Sequence, residues 1–288
     1  MLNVSIVLYR PDWLQVNRLC EELLRARCVR KIYLVDNSPV GEPAKSLSNP
    51  KVTYEWNKGT NLGYGRAHNI AIRQSVRWHT PFHLVMNADV WIKAEDLDLL
   101  YAFMEAHKEI GSLMPRVTYP DGTLQYLCKL LPTPFDVFGR RFLPSCTTRR
   151  RNARYELRCT GYDKPMNVPY LSGCFMLLRT EAVLKARLFD ERYFMYPEDI
   201  DLTRTIHRDY LTLYYPAVTI VHDHAQASYH SWRMMWVHVV NMCRYFNKWG
   251  WFFDKERCLF NRTLLNSLQK HFDDANHTQE PVELGTLQ

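Results

Sequence analysis

What most constrains this chain is a repeated change of hydrophobic period over its first 110 residues. Short apolar runs without helical spacing alternate with stretches whose apolar positions recur every three to four residues. Val4-Ser-Ile-Val-Leu-Tyr, Ile32-Tyr-Leu-Val, Val52-Thr-Tyr-Glu-Trp and Phe82-His-Leu-Val-Met read as strands. Pro11-Asp12 opens a helix with Trp13, Val16, Leu19, Cys20, Leu23 and Leu24 on one face. A Gly/Asn-rich turn region, Asn57 to Gly65, leads into a second helix that runs to roughly Arg77. Strands alternating with helices make parallel βαβ units. In such sheets, polar residues just past the carboxyl ends of strands form the expected ligand site. Asp36, Asn37 and Asp89 fall at those ends.

The remainder is less regular. Tyr119-Pro-Asp-Gly-Thr signals a turn joining two strands. Residues 130–165 carry Arg140, Arg141, Arg149, Arg150, Arg151, Arg154 and Arg158 and read as a loop or small excursion. Val168 to Leu178 reads as one strand with Ser172-Gly173 inside it. A short helix starts at Thr180 and another at Pro197-Glu-Asp, followed by short strands Leu211–Tyr215 and Val218–Val221. The end of the chain reads as helix and then a polar tail. The expected division is residues 1–230 as one domain, with halves 1–110 and 111–230, and 231–288 as a C-terminal helical region and tail.

Composition excludes several classes. With 47% hydrophobic and 23% charged residues, disorder and coiled coil are not the main story. No apolar run approaches the ~18 residues of a membrane span. The N-terminus lacks the basic region of a signal peptide. The eight cysteines include no Cys-x-x-Cys pair and read as reduced thiols of a cytoplasmic protein. A net charge of +7 would suit nucleic acid, but the acidic and aromatic motifs do not.

Four segments carry the candidate chemistry. Asn87-Ala-Asp89 follows an apolar strand, so Asp89 either holds a divalent cation or caps the next element. Tyr196-Pro-Glu-Asp-Ile-Asp-Leu puts Glu198, Asp199 and Asp201 at a helix start; the dipole there favours ionised carboxylates, as a general base needs, although simple capping uses the same pattern. Val221-His222-Asp-His224 ends a strand, and either imidazole is a metal ligand or an ordinary hydrogen-bonded side chain. Asn61-Leu-Gly-Tyr-Gly-Arg-Ala-His-Asn69 is neither a Walker loop nor a dinucleotide fingerprint; its glycines let backbone approach a nucleotide, or simply form a turn.

Taken in order, from Val4 to about Trp251, these pieces resemble the family 2 glycosyltransferases, most closely the rhamnosyltransferase branch of bacterial surface-polysaccharide synthesis (O-antigen, capsule). The resemblance implies an α/β GT-A fold: a Rossmann-like, mostly parallel sheet flanked by helices, with a C-terminal helical extension. It places Tyr9, Asp36, Asn37, Asn61, Gly63, Gly65, Arg66, Asn69 and Asn87 around a nucleotide-diphospho-sugar donor. Ser172, Gly173, Glu198 and Asp201 would face the acceptor, and Asp199 would be the base, with Glu198 beside it. Asp89 and His222, with His224 in reserve, would hold Mg²⁺ or Mn²⁺. The chain departs from the family's Asp-x-Asp at its first position, where Asn87 stands, which costs one anionic ligand.

The implied reaction is inverting transfer of a sugar, foremost L-rhamnose from dTDP-rhamnose, to a hydroxyl of a polyprenyl-diphosphate-linked saccharide. UDP-galactose or UDP-N-acetylglucosamine are alternative donors. A binding module without catalysis and a nucleotidyltransferase are rival classes; the latter would need a basic Gly-rich first loop that Tyr9-Arg-Pro-Asp lacks. The Arg140–Arg158 segment suits a diphosphate or anionic headgroups. Trp232, Met235, Trp236, Val239, Val240, Cys243 and Phe246 form an apolar helical stripe that either packs on the catalytic domain or lies in a membrane interface, and Trp249-Gly-Trp-Phe-Phe is the stronger candidate for the inner face of the cytoplasmic membrane. A homodimer is compatible with the same surfaces.

Overall fold

The computed structural model describes residues 1–139, 145–223 and 232–277. In chain order the strands and helices are β1 (Leu2–Leu8), α1 (Trp13–Arg25), β2 (Val29–Asp36), β3 (Val52–Trp56), α2 (Tyr64–Arg77), β4 (Phe82–Met86), β5 (Val90–Trp91), α3 (Ala94–Ala106), β6 (Ile110–Thr118) and β7 (Cys128–Lys129). There follow α4 (Ser145–Tyr155), β8 (Met166–Asn167), β9 (Tyr170–Leu171), β10 (Phe175–Arg179), α5 (Thr180–Lys185), α6 (Glu198–Ile206), β11 (Leu211–His222), α7 (Trp232–Trp249) and α8 (Lys255–His277).

The main sheet has nine strands, eight of them in the order β3-β2-β1-β4-β10-β6-β11-β5, with β8 pairing to β11. β3, β2, β1 and β4 run parallel, as the alternation requires. β10 enters antiparallel between β4 and β6, and β11 runs parallel to β6. One sheet therefore passes through both halves of the chain, with a strand of the second half beside β4 of the first. Local chemistry sets the entries. Asp12 caps α1 by accepting from the N–H groups of Leu14 and Gln15, and the helix buries Val16, Leu19, Cys20 and Leu23. β4 is buried along its whole length, which is why its sequence shows no alternation.

Three expectations change. The single strand over 168–178 is broken into β9 and β10 by Ser172-Gly173-Cys174, which bends so that Asn87 N–H reaches the Cys174 carbonyl at 3.0 Å. The two strands after residue 210 are one, β11, with a register shift between Tyr215 and Thr219; Pro216, which has no N–H for the ladder, lies in that irregular stretch. The Arg-rich excursion contains the helix α4, whose Arg151 bonds Asp136 and Thr133. Arg140 and Arg141 lie outside the described residues.

The last two helices are fastened to α6. Arg204, 1% exposed at its side chain, makes paired contacts of 2.7 Å with both oxygens of Asp254 and one of 2.8 Å with Glu256. Its guanidinium also lies 4.0 Å from the ring centroid of Trp249. The helix whose start carries Glu198 and Asp199 is thus held by the C-terminal region.

Candidate active site

Asp36 ends β2, and its carboxylate accepts from Tyr54 Oη at 2.6 Å and Ser38 N–H at 2.8 Å. Burial and that carboxylate push the Tyr54 phenol up to about 12. Tyr9 is exposed beside it, with Arg10 over its ring. Asn37 is turned inward: its amide donates to the Gly63 carbonyl at 3.1 Å, and its oxygen accepts from Asn57 at 2.8 Å and from Leu62 N–H. Both ends of the amide thus serve the loop.

The glycine-rich segment is likewise built against protein. Gly63, at φ +82°, precedes α2, and a Cβ there would collide with the Phe194 carbonyl. The next amide, Tyr64 N–H, donates to that carbonyl at 2.9 Å. Asn61 accepts from Gly63 N–H at 2.9 Å. A Cβ on Gly65 would meet Phe189 at 2.8 Å. Asn69, fully buried, donates to the Phe189 carbonyl and Glu191 and accepts from Phe189 N–H. Arg66 is an exposed neighbour of Glu191 at 3.5 Å. Gly63, Gly65 and Asn69 lock this loop onto the 189–194 segment that leads into Glu198.

At the ends of β4 and β11, His222 Nε2 lies 3.3 Å from Asp89 Oδ1. Asp223 N–H donates to the Asp89 carbonyl at 2.9 Å. The other ring nitrogen, Nδ1, lies 2.9 Å from Gln125 Oε1, and Gln125 donates to the His222 carbonyl at 2.7 Å. Burial alone would lower the imidazole, but the Asp89 carboxylate and the Cys174 thiol outweigh it and raise it to about 10. Asp89 is partly open, unlike His222. Among the described residues no group of three or more His, Cys, Asp or Glu is placed to hold a metal ion. A divalent cation at Asp89 and His222 would thus have two protein ligands and need several oxygens from elsewhere, which fits a hard cation that takes phosphate and water. His224 lies outside the described residues.

Glu198 and Asp199 begin α6 and are both buried. Asp199 accepts from Gly173 N–H at 2.9 Å and Ile200 N–H at 2.8 Å. Burial raises it to about 6, with the Gly173 N–H and Lys129 pulling the other way. Glu198 is raised well above the carboxylate range by burial and by Asp199, and its Oε2 is buried with no hydrogen-bond partner. Ser172 is half-buried and its Oγ lies 3.5 Å from Cys174 N. Asp201 points the other way. It accepts from Trp249 Nε1 at 2.6 Å and Lys248 Nζ at 2.8 Å, and so anchors α7.

That anchor also holds Trp249, the start of the Trp249-Gly-Trp-Phe-Phe stretch, against protein. Trp249 faces inward, and Trp251 lies parallel to Phe138 with ring centroids 6.3 Å apart. Only Phe252 and Phe253 of that stretch stand out, Phe253 at 96% exposure. Phe246, from the stripe, is in the core, whereas Trp232, Trp236 and Val240 are exposed. Tyr64 and Gln125 were not singled out from sequence. Each touches its partner across about a hundred residues, and no local pattern marks such pairs.

The sheet is a mostly parallel α/β sheet with acidic and imidazole groups past its strand ends, where such folds bind ligands. A family model for glycosyl transferase family 2 matches residues 8–185, and the chain belongs to that family. Among curated relatives it is 30% identical over 245 residues (79% of this chain, 78% of the relative) to N-acetylglucosaminyl-diphospho-decaprenol L-rhamnosyltransferase of Mycobacterium tuberculosis. It is 26% identical over 195 residues (65% and 71%) to rhamnosyltransferase WbbL of Escherichia coli. The fold is similar to the mannosyltransferase PcManGT from Pyrobaculum calidifontis, solved with GDP-Man and Mn²⁺, at TM-score 0.53 and 15% identity over 97% of this chain and 76% of that one. GalNAc-T7, solved with UDP, GalNAc and Mn²⁺, gives TM-score 0.55 at 15% identity over 77% and 43%.

Proposed function

We propose that this glycosyltransferase moves L-rhamnose from a nucleoside-diphosphate donor to a hydroxyl of a lipid-diphosphate-linked saccharide, with inversion at the anomeric carbon. The observation that carries the reading is Asp199: a buried carboxylate, poised near 6 and held by the Gly173 amide at 2.9 Å, in a site that Asp89 also borders. The Tyr64 phenol, between them, is raised first by burial and then by Cys174, Glu198, Asp199 and Asp89, which fits convergence of these groups on one cleft. The rhamnosyl part is supported by both curated relatives, and the lipid-linked part by the Mycobacterium tuberculosis one.

In this reading Asp36, at the end of β2, and Tyr54, on β3, meet the nucleoside base. Asp89 and His222 would hold Mg²⁺ or Mn²⁺ once the imidazole gives up its Nε2 proton to the cation's arrival, and the ion when bound supplies positive charge to the diphosphate leaving group. Gln125 accepts from His222 Nδ1–H, and so leaves Nε2 directed at Asp89. Asp199 takes the acceptor hydroxyl's proton as that oxygen attacks from the face opposite the leaving group. Glu198, held protonated by burial and by its neighbour, can donate a hydrogen bond to an acceptor oxygen without repelling Asp199.

Among the described residues no helix is long and apolar enough to cross a membrane. Trp232, Trp236 and Val240, four residues apart on α7, with Arg233 beside them, form an exposed face suited to the headgroup layer where a lipid-linked acceptor resides. The test is transfer from dTDP-rhamnose, UDP-galactose, UDP-N-acetylglucosamine and GDP-mannose, each with Mn²⁺, to a synthetic polyprenyl-diphosphate N-acetylglucosamine. Product should appear with dTDP-rhamnose. Transfer from a UDP-sugar alone would refute the donor assignment.

A further inference from the structure

Asp199 and Asn87 come from different halves of the chain, yet one side chain reaches the supports of both. The Tyr64 hydroxyl lies 2.6 Å from the Gly173 carbonyl oxygen and 3.0 Å from the Asn87 side-chain amide at its Oδ1 position. Gly173 in turn gives its N–H to Asp199 Oδ2 at 2.9 Å. Space at this point is closed: a Cβ on Gly173 would lie 3.1 Å from Asp199 Cβ and 3.5 Å from Tyr64 Cε1. The phenol ring is itself fixed, edge-on to His68 at 4.4 Å between centroids, and His68 is bonded to Ser5 at 2.6 Å.

A phenol carries one proton. The Gly173 carbonyl can only accept, and it makes the shorter contact, so the proton goes there. The phenol oxygen then presents a lone pair to Asn87, and only the N–H₂ end of that amide can meet it. The two ends of an asparagine amide have the same shape, and the hydrogen-bond network decides which is which. The amide oxygen of Asn87 therefore lies on the edge away from Tyr64, available to a ligand. Burial keeps the phenol protonated at every working pH.

We propose that Tyr64 is a positioning residue whose single hydroxyl clamps the Ser172-Gly173-Cys174 bend against Asn87, setting the base and the donor-side amide together, and that position 87 holds an amide because this phenol needs a donor there. A carboxylate at 87 has no proton to give, so it would compete with Gly173 for the one the phenol has. This account of the departure from Asp-x-Asp rests on the proposed function for its catalytic meaning, but the clamp itself is a property of the unliganded protein.

The experiment is a double-mutant cycle with Tyr64→Phe and Asn87→Asp, read in two ways. In the unliganded protein, the Gly173 amide resonance reports titration of Asp199 through their hydrogen bond. Tyr64→Phe keeps the ring and should raise that midpoint by about one pH unit, because a looser Gly173 N–H stabilises the carboxylate less. In turnover, Tyr64→Phe should lower kcat about 10–100-fold with donor KM within about threefold. Asn87→Asp should cost much less in the Tyr64→Phe background than alone. An unmoved Gly173 midpoint in Tyr64→Phe, or fully additive losses, would overturn the clamp. A shifted midpoint in a protein that transfers no rhamnose would uphold the clamp and reject the donor assignment instead.

Discussion

Replacing Asp199 with Asn separates catalysis from stability in a way the geometry makes quantitative. The carboxyl is raised from 3.8 to about 6 by burial. The folded chain therefore holds this proton more tightly than the unfolded chain does. Its contribution to stability is full below about pH 3.8 and is lost as pH rises through about 6. At pH 8 the ionised, buried Asp199 costs the fold about 3 kcal/mol, at about 1.4 kcal/mol for each pH unit of the rise. Asparagine removes that cost and its oxygen still accepts from Gly173 N–H. Its N–H₂ then faces Ile200 N–H, which returns about 1 kcal/mol of the gain. The net expectation is a variant about 2 kcal/mol more stable at pH 8, with Tm higher by about 4 °C or more, and no more stable than wild type near pH 3.5. Turnover should fall by about 10²–10⁴-fold, the usual range for loss of a general base. In the wild type, kcat/KM should fall about tenfold per pH unit below 6, and the variant's residual rate should lose that limb. Calorimetry at the two pH values and a pH–rate profile check this. An Asp199→Asn enzyme that keeps more than about a tenth of wild-type turnover, or one less stable at pH 8, would refute the reasoning.

Gln125→Leu should weaken Mn²⁺ binding about 10–100-fold, read by electron paramagnetic resonance, because His222 loses the partner that orients its ring. Arg204→Ala should destabilise the protein by about 3 kcal/mol in urea melts, since buried Asp254 would keep only Arg257, at 4.0 Å, as counter-charge. Arg149→Ser/Arg150→Ser/Arg151→Ser should raise KM for the lipid-linked acceptor and leave that for the nucleotide sugar; equal changes in both would remove this segment from acceptor binding. Trp232→Ser/Trp236→Ser should abolish co-sedimentation with anionic vesicles at low salt, whereas Trp249→Phe should leave it intact and lower Tm, because its indole serves Asp201.

The local features were legible because their causes are local. Asp12 caps the helix it precedes, β3 and β4 begin and end where their apolar runs do, and the acidic cluster opens α6 at Glu198. The positions past the strand ends follow from the strand–helix alternation, which makes parallel βαβ units and puts Asp36, Asn37 and Asp89 at or beyond the carboxyl ends of β2 and β4. What each side chain does there was a different matter. Asn37, Asn69 and Asp201 carry the same functional groups as ligand-binding residues, and nothing in their neighbours' identities says that Gly63, Phe189 and Trp249 will occupy them.

By itself, the sequence determined the alternation of elements, the edge of the sheet where polar groups gather, and the order of motifs that marks the family. Only the tertiary structure decided that β10 enters antiparallel between β4 and β6, that Gln125 backs His222, that one phenol joins Gly173 to Asn87, and that Trp249 turns inward to Asp201 while Trp236 stays outside. The physical reason is range. Period, capping and turn chemistry act over a few residues and leave a pattern in the chain, whereas these contacts join segments tens to more than a hundred residues apart, where only the packed sheet brings the partners within hydrogen-bonding distance.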